Sequence, residues 1–340
     1  MSKNNETSKP ATMQDVAKVA GVSRGTVSRY VRKNGYVSQD AAEAIESAIV
    51  ATKFVPNAVA RTLAGFPSRN VALVVHEDAS LFAQDPNLMG MMIGARRRLQ
   101  ENDYQLLIII ENETESTERL QRTLTSGLVD GVMVAAPKTE DPLAEVVRDS
   151  GLPAVYVGQD ESFGDLPVVD VDNRDGARRA TKFLVDAQVK RAAHIAGPIE
   201  TYAALQRAEG FHDALGASYR ESLVVYSRDW SVAAGAEAMR TLLEKDPEID
   251  GLFAGCDSIA IGAINELRRA GRKVPQDVRV IGFDDSPWAT SHRPALTTIS
   301  QPAEVLGEEM AEMVLRQLRG EDMRGAVVLV PIKLVQRESA

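Results

Sequence analysis

The sequence predicts an α/β protein with a small helical head and a large body of two doubly wound parallel sheets. Three observations support this fold class. Residues 12–32 have the pattern of two short helices joined by a glycine turn. From Asn70 onward, apolar strand segments alternate with amphipathic helical segments, as in parallel α/β folds. The length of 340 residues fits two or three domains rather than one.

The first predicted helix begins after Thr12, within the stretch TMQDVAKVAGVSRGTVSRYVR. Thr12 and Asp15 have the spacing of a capping box, in which each side chain accepts a backbone N–H bond of the other residue. Gly21 is suited to the turn that follows, because glycine adopts a positive φ without steric cost. The residues predicted to form the apolar face of this helix are Val16, Ala17, Val19 and Ala20.

Ser23 is the predicted cap of a second helix over residues 24–31, with Val27 turned inward. The residues turned outward carry hydroxyl or guanidinium groups, namely Arg24, Thr26, Ser28 and Arg29. Two short helices around a glycine turn, with such an outer face, match the helix-turn-helix plan for the DNA major groove. The alternative is a surface helical hairpin with a solvated basic face.

A third helix is predicted over residues 39–52, capped by Ser38, because Ala42, Ile45 and Ile49 recur at helical spacing. Asn57 can cap a very short helix over 58–64 that Gly65 ends. A helix of this length is marginal in water and needs a partner to form. The predicted head covers residues 1–69, and 70–340 form the body.

The net charge of −9 is divided unevenly along the chain. Residues 1–69 carry +5 and the remaining residues carry −14. A basic head on an acidic body confines attraction for phosphate groups to the head. An acidic enzyme gives no reason for this division, whereas a protein that binds nucleic acid through its head does.

The body is predicted from two sets of segments. The apolar strand candidates are 71–75, 105–110, 131–136, 154–158, 192–197, 222–227, 251–255 and 278–283. The helix candidates are 89–101, 115–127, 174–187, 201–216, 231–244, 257–270 and 302–319. This alternation predicts parallel sheets with right-handed crossovers, and its extent indicates two lobes. Ligands of such sheets bind beyond the carboxyl ends of the strands.

Other features argue against export and catalysis. The polar N-terminus lacks the hydrophobic core of a signal peptide, and no apolar run has the length of a membrane span. Cys256 is the single cysteine, so we expect no disulfide, no zinc cluster and a cytoplasmic location. Nucleotide-binding, serine-hydrolase and zinc-protease motifs are absent. We therefore expect no catalytic residues, metal or cofactor, and the rival classes are an exported solute-binding protein and an enzyme.

Four motifs resemble those of the lactose-repressor/galactose-repressor (LacI/GalR) family. They are DVAKVAGVSRGTVSR (15–29), VPNAVARTLAG (55–65), GFDD (282–285) and LTTISQP (296–302), and the similarity covers residues 12 to about 338. The resemblance implies a homodimeric, nucleoid-associated transcriptional regulator, expected to be a repressor. Its body would look like a periplasmic sugar-binding protein, with a small-molecule effector in the cleft and a palindromic DNA operator as partner. It also implies a first lobe of about 70–168 and 300–326, and a second of about 169–299 and 327–340.

The same resemblance assigns residues to DNA. Arg24 and Gly25 occupy the variable base-reading pair, and Arg24 can bind guanine through two hydrogen bonds. Residues 57–65 would form a hinge helix that inserts side chains into the minor groove. Arg32 stands where many relatives have asparagine, which makes its contact the least expected. The full implied DNA-binding set is Thr12, Ser23, Arg24, Gly25, Thr26, Arg29, Arg32, Tyr36, Ser38, Asn57, Ala60 and Leu63.

The resemblance implies an effector site as well. Its residues are His76, Phe82, Arg207, Trp230, Asp257, Asp284 and Gln301. Carboxylate and guanidinium groups that bind hydroxyls, with an indole over the ring face, suit a sugar. The alternatives are core packing for Phe82, helix capping for Asp257, and a structural ion pair between Arg207 and Asp284.

Three departures from the family pattern bear on the effector. Cys256 replaces an asparagine, Gly158 stands where an aspartate is common, and Gln188-Val189 replaces a usual Gly-His pair. The loss of two polar ligands argues against an ordinary hexose. The effector is expected to be a modified or larger sugar, or a compound that is not a sugar.

Overall fold

A computed structural model describes residues 11–32, 35–54, 67–111, 117–135, 138–139, 143–158 and 163–340. The chain forms two compact units, Met1–Ser68 and Arg69–Ala340, whose boundary lies within one residue of the predicted end of the head. Each unit has its own hydrophobic core.

The head contains three described helices, α1 (Met13–Ala20), α2 (Arg24–Arg32) and α3 (Gln39–Thr52). The capping box is confirmed, because the Thr12 N–H donates to Asp15 Oδ2 at 2.8 Å and the Asp15 N–H donates to Thr12 Oγ1 at 3.4 Å. Gly21 has the expected positive φ of 67°. Ser38 precedes α3 as predicted, but its side chain makes no capping hydrogen bond.

The core of the head joins the three helices through Val16, Ala17, Val27, Ile45, Ala48 and Phe54. The prediction that Val19 belongs to the apolar face is wrong, because 58% of its surface is exposed. Three residues of a helix turn Val19 about 60° away from Val16, on the side opposite Ala17. A helix of eight residues therefore buries a narrower stripe than the sequence suggested.

Strands and helices alternate through the body. The elements before the first crossover between the lobes are β1 (Asn70–His76), α4 (Ala79–Phe82), α5 (Pro86–Gln100), β2 (Gln105–Glu111), α6 (Thr117–Thr125), β3 (Gly131–Ala135), α7 (Leu143–Ser150), β4 (Ala154–Val157) and β5 (Val168–Asp170). The elements after it are α8 (Asn173–Asp186), β6 (Ala192–Ala196), α9 (Tyr202–Leu215), β7 (Val224–Tyr226), α10 (Val232–Lys245), β8 (Gly251–Ala254), α11 (Asp257–Arg269), β9 (Arg279–Asp284), α12 (Pro287–Ser291), β10 (Thr297–Ser300), α13 (Ala303–Leu318), β11 (Val327–Leu329) and β12 (Lys333–Val335).

The strands form two six-stranded sheets, in the orders β11-β5-β4-β3-β1-β2 and β12-β10-β9-β8-β6-β7. All pairs are parallel except β10 with β12. The predicted lobe boundaries at residues 169 and 327 are corrected, because 168–170 and 327–329 pair with each other in the first sheet. None of the helices in the described parts of the chain has both the length and the apolar character of a transmembrane span.

Helices α5 and α13 of the first lobe approach each other through glycines. A Cβ atom on Gly94 would lie 1.8 Å from the carbonyl oxygen of Glu304, and one on Gly307 would lie 1.9 Å from that of Met91. Asp85 caps the start of α5 through the backbone N–H of Asn87, at 2.8 Å, and Gln301 precedes α13. The close contact therefore fixes two segments that enter the interlobe cavity described below.

We predict that Gly94→Ala destabilises the body by about 1–3 kcal/mol, because the added methyl group must displace backbone rather than a flexible side chain. The measurement is the unfolding of the ligand-free protein in urea and by calorimetry. Arg96→Ala is the control, since this side chain lies on the exposed face of the same helix. Equal stability of the two variants would contradict the glycine contact.

Candidate functional site

The outer face of α2 carries polar groups held by local hydrogen bonds. Ser23 Oγ accepts the N–H of Thr26 at 3.1 Å and lies 2.9 Å from Thr26 Oγ1. Arg29 Nη2 donates to Thr26 Oγ1 at 3.4 Å. Arg24 and Arg29 are exposed, and a Cβ on Gly25 would meet only Ser23 Oγ, at 3.5 Å. The surface of α2 thus presents an unobstructed guanidinium group at Arg24.

The other predicted DNA contacts lie at the ends of the head helices. Thr12 precedes α1, while Tyr36 and Ser38 precede α3, and all three side chains are exposed. Tyr36 is 85% exposed, which is unusual for an aromatic residue without a partner surface. The side chain of Arg32 and the residues Asn57, Ala60 and Leu63 lie outside the described part of the chain.

The body contains a cavity of about 1070 Å³ between its lobes. Parallel strands of both sheets end there, and His76, Asp170 and Asp284 are the last residues of β1, β5 and β9. This agrees with the rule that ligands bind beyond the carboxyl ends of such strands. Five of the seven predicted effector residues line the cavity, namely His76, Arg207, Trp230, Asp284 and Gln301.

Phe82 and Asp257 do not line it. Phe82 packs in the core of the body, as its alternative role proposed. Asp257 is fully buried and accepts hydrogen bonds from Ser286 N–H at 2.8 Å, from Ser286 Oγ at 3.0 Å and from Thr298 Oγ1 at 2.6 Å. It is the first residue of α11 rather than its cap, so this carboxyl group ties α11 to the β9–α12 turn and β10.

Arg207 on α9 lines the cavity with only 4% of its surface exposed. Its Nε donates to Asn173 Oδ1 at 2.9 Å, its Nη1 to the carbonyl oxygen of Gly255, and its Nη2 to Gln301 Oε1 at 3.4 Å. The guanidinium carbon lies 3.7 Å from the ring centroid of Phe283. Burial lowers the pKa of Arg207, but an arginine remains charged in proteins.

Asp284 faces Arg207 without a hydrogen bond between them. Arg207 Nη1 and Asp284 Oδ1 are 4.0 Å apart, which is too far for a hydrogen bond. The Oδ1 atom has no partner among the described residues. Burial raises the pKa of Asp284 well above its ordinary value, and Arg207 opposes this shift. Arg207 and Asp284 therefore form a buried ion pair, the alternative raised by the sequence, at a distance that leaves Asp284 Oδ1 without a hydrogen bond.

The backbone of Asp284 is also strained. Asp284 has a φ of 113° and Asp285 a φ of 59°, in the left-handed region that side chains rarely adopt. Such conformations cost about 1–3 kcal/mol each and concentrate at functional sites. The Asp284 side chain lines the cavity, whereas the Asp285 carboxylate pairs with Arg337 at 2.6 Å.

Trp230 lies against the cavity because Gly197 gives it room. A Cβ on Gly197 would approach the indole ring to 2.0 Å. Cys256 and Ser258 hold the same residue, since Ser258 Oγ donates to the Trp230 carbonyl and Cys256 Sγ lies 3.0 Å from Ser258 Oγ. Burial raises the pKa of the Cys256 thiol, so this residue acts as a neutral packing group.

The polar cavity residues that the sequence did not indicate include Asp170, Asn173 and Trp288. Asp170 Oδ2 and Trp288 Nε1 are buried without a partner among the described residues, as is Asp284 Oδ1. Had Val168–Asp170 been predicted as a strand, the carboxyl-end rule would have indicated Asp170. Among the residues that the structure describes, no group of three His, Cys, Asp or Glu side chains could hold a metal ion.

Comparisons with known proteins agree with both parts of the chain. Residues 12–57 match the family model described as "Bacterial regulatory proteins, lacI family", and residues 181–340 match a "Periplasmic binding protein-like domain". The "HTH-type transcriptional regulator CelR" of Thermobifida fusca is 37% identical over 333 residues, which cover 96% of this chain and 98% of that protein. The chain belongs to the lacI family of bacterial regulatory proteins.

Solved structures support the same assignment for this LacI-family chain. A "transcriptional regulator CelR-cellobiose complex" has a TM-score of 0.77 and 35% identity, and the match covers 97% of this chain and 100% of that one. A lac repressor dimer bound to operator and the anti-inducer ONPF has a TM-score of 0.85 and 25% identity, over 97% and 99% of the two chains. The protein is thus a DNA-binding transcriptional regulator, and the predicted fold class is confirmed.

We predict that Arg24→Ala weakens operator binding by about 1–3 kcal/mol and relaxes the preference at one base pair, because a bidentate contact to guanine is lost. The measurement is fluorescence anisotropy with an operator selected from random DNA, compared with unselected DNA. Lys18→Ala removes the same charge from the exposed surface of α1 and serves as the control. An equal loss on both DNAs in Arg24→Ala would reduce Arg24 to a phosphate contact.

Proposed function

We propose that this regulator is a homodimeric repressor whose affinity for a palindromic operator changes when a carbohydrate binds in the interlobe cavity. The observation that carries the proposal is the cavity cluster of the buried Arg207 and Asp284 with the half-buried Trp230, in a body fused to a DNA-binding head. The dimer is supported by the similar lac repressor, which was solved as a dimer on its operator. A two-fold symmetric operator would mirror such a dimer.

The chemistry of the cavity supports a carbohydrate. Asp284 Oδ1 can accept a hydrogen bond from a hydroxyl group, and Trp288 Nε1 can donate one, because neither atom has a partner among the described residues. The Trp230 indole can cover the apolar face of a sugar ring. A carbohydrate meets all three requirements, namely a hydrogen-bond donor for Asp284, an acceptor for Trp288 and an apolar face for Trp230. Each sugar ring has hydroxyl groups at its rim and C–H groups on its faces.

The size and composition of the cavity favour a disaccharide. A volume of about 1070 Å³ lies at the upper end of the usual range for ligand sites. Gly158 and Cys256 contribute no strong polar group where relatives of the family have polar ligands, so fewer contacts are available to a single hexose ring. The similar regulator solved with cellobiose supports a β-linked disaccharide of this class.

We propose that the cavity binds its ligand without catalysis. The similar proteins named above are transcription regulators. Glycoside hydrolysis would need two carboxyl groups, of which one stays ionised as nucleophile or base. Burial raises the pKa of three carboxyl groups that line the cavity, Asp85, Asp170 and Asp284, which does not suit that division of roles.

We further propose that residues 57–65 couple the two domains in the cell, where the protein would act on the bacterial nucleoid. The predicted helix covers the seven residues 58–64, with Asn57 as its cap. A helix of this length is marginal in water, so we expect it to form only on the operator. Ala60 and Leu63 would enter the minor groove, where an apolar wedge favours bent DNA. An effector that changes the arrangement of the lobes would then change how the two hinge helices pair.

We predict that cellobiose changes the intrinsic fluorescence of the protein, because both tryptophans of the chain, Trp230 and Trp288, line the cavity. Asp284→Asn should weaken cellobiose binding tenfold or more, since an amide nitrogen in place of a carboxyl oxygen cannot accept the hydrogen bond of a ligand hydroxyl group. Operator binding without cellobiose should remain unchanged. The measurements are fluorescence titration with cellobiose, maltose, glucose and ribose, and operator binding with and without each sugar.

Asp285→Asn is the matched control, because Asp285 shares the left-handed backbone but does not line the cavity. It should bind cellobiose as the unsubstituted protein does. A sugar response that survives in Asp284→Asn would place the effector site elsewhere. The absence of any response to the carbohydrates would contradict the effector class while leaving the DNA-binding assignment intact.

A further inference from the structure

We propose that Asp170 is a ligand-binding residue, whose Oδ2 atom accepts a hydrogen bond from a hydroxyl group of the carbohydrate. This inference rests on the proposed function, because it names a contact within the same cavity. Neither the sequence motifs nor the resemblance assigned a role to this residue. It would give the first lobe a specificity-determining carboxyl group opposite Asp284 of the second lobe.

The two carboxylate oxygens of Asp170 have different surroundings. Oδ1 accepts the N–H of Val171 at 2.7 Å and the Nδ2–H of Asn173 at 3.1 Å. Oδ2 is buried and has no partner among the described residues, although Asp170 lines the cavity and is only 4% exposed. An unsatisfied buried acceptor costs about 1–3 kcal/mol, and more if it is charged. A donor supplied by a ligand removes this cost.

Asp257 of the second lobe is an example of a purely structural buried aspartate. Both of its carboxylate oxygens accept hydrogen bonds, Oδ1 from Thr298 and Oδ2 from Ser286. It is fully buried and does not line the cavity. Asp170 differs in both respects, because the residue lines the cavity and only one of its carboxylate oxygens has a partner among the described residues.

The orientation of Asp170 is fixed by a short hydrogen-bond chain that crosses the lobes. Asn173 donates to Asp170 Oδ1 and accepts from Arg207 Nε at 2.9 Å. Asp170 ends a strand of the first sheet, whereas Asn173 and Arg207 lie on helices that pack on the second lobe. A hydroxyl group on Oδ2 would therefore bind at the crossover itself, where the arrangement of the two lobes affects it most.

The charge on Asp170 adds a second observable. Burial raises its pKa to about 7, and the Arg207 guanidinium opposes this shift. The charged groups that act on Asp170 are Arg207 and Asp172, and the titratable groups that line the cavity include His76, Glu77, Asp85, Lys138 and Asp284. A hydroxyl donor favours the ionised carboxylate, so binding should lower this pKa and release a proton. Carbohydrate affinity should accordingly rise as the pH increases through about 7.

The test uses the full chain and cellobiose as the probe. Asp170→Asn keeps the size of the side chain but places an amide where Oδ2 accepts, and should weaken cellobiose binding at least tenfold. Asp172→Asn is the matched control, because this exposed neighbour caps α8 through the N–H of Asp175 and does not line the cavity. Operator binding without cellobiose should be the same in both variants.

Monodeoxy derivatives of cellobiose identify the contact. One derivative should lose affinity for the unsubstituted protein but show no further loss with Asp170→Asn, since the hydroxyl group and its acceptor are then both removed. Calorimetry in buffers of different ionisation enthalpy measures proton release by the unsubstituted protein and by Asp284→Asn, in which Asp284 cannot contribute a proton. The measurement of proton release does not use Asp170→Asn, so it tests the role of Asp170 even if that variant is unstable.

The outcomes separate this inference from the proposed function. Cellobiose binding that is unchanged in Asp170→Asn, or that occurs without proton release between pH 6 and 8 (a range of about one unit on either side of this pKa), would overturn the role of Asp170 and leave the carbohydrate effector standing. Failure of all carbohydrates to bind the unsubstituted protein would overturn both. Cellobiose binding that is weakened in Asp170→Asn but not in Asp172→Asn, together with proton release, supports both the role of Asp170 and the carbohydrate effector.

Discussion

The structure of the body depends on the guanidinium group of Arg207, which is buried between the lobes. A buried charge is stable only when its donors find acceptors. Those acceptors come from separate segments: Asn173 at the first crossover, Gly255 after β8 and Gln301 at the second crossover. The crossovers between the lobes therefore lie where Asn173 and Gln301 can accept hydrogen bonds from Arg207. The ring of Phe283 packs against the guanidinium group.

The same centre leaves the polar groups around it unequally satisfied. Arg207 has partners on each of its nitrogens, but Asp284 Oδ1, Asp170 Oδ2 and Trp288 Nε1 have none among the described residues. These two acceptors and one donor, together with the Trp230 indole face, restrict the chemical class of the ligand more than the volume of the cavity does. A ligand that bonds to groups of both lobes binds different lobe arrangements unequally, which is the requirement for altering a distant DNA-binding head.

Much of the fold could be predicted because its signals are local or long. The capping box at Thr12 and Asp15 fixed the start of α1, and strands such as β1 and β2 are continuous apolar runs. The short strands β5, β10, β11 and β12 were missed, since three or four residues give little periodicity. Asp170 was missed for the same reason. Asp257 was assigned to the cavity because sequence alone does not show which way a carboxyl group at the start of a helix faces.

The ligand is proposed to supply the hydrogen bonds that buried cavity groups lack among the described residues. A crystal structure of the protein with cellobiose would show these bonds. We expect hydroxyl oxygens within hydrogen-bond distance of Asp284 Oδ1 and Asp170 Oδ2, with a sugar ring stacked on the Trp230 indole. Cellobiose bound outside the cavity, or bound within it while both carboxylate oxygens remain without a partner, would contradict the account.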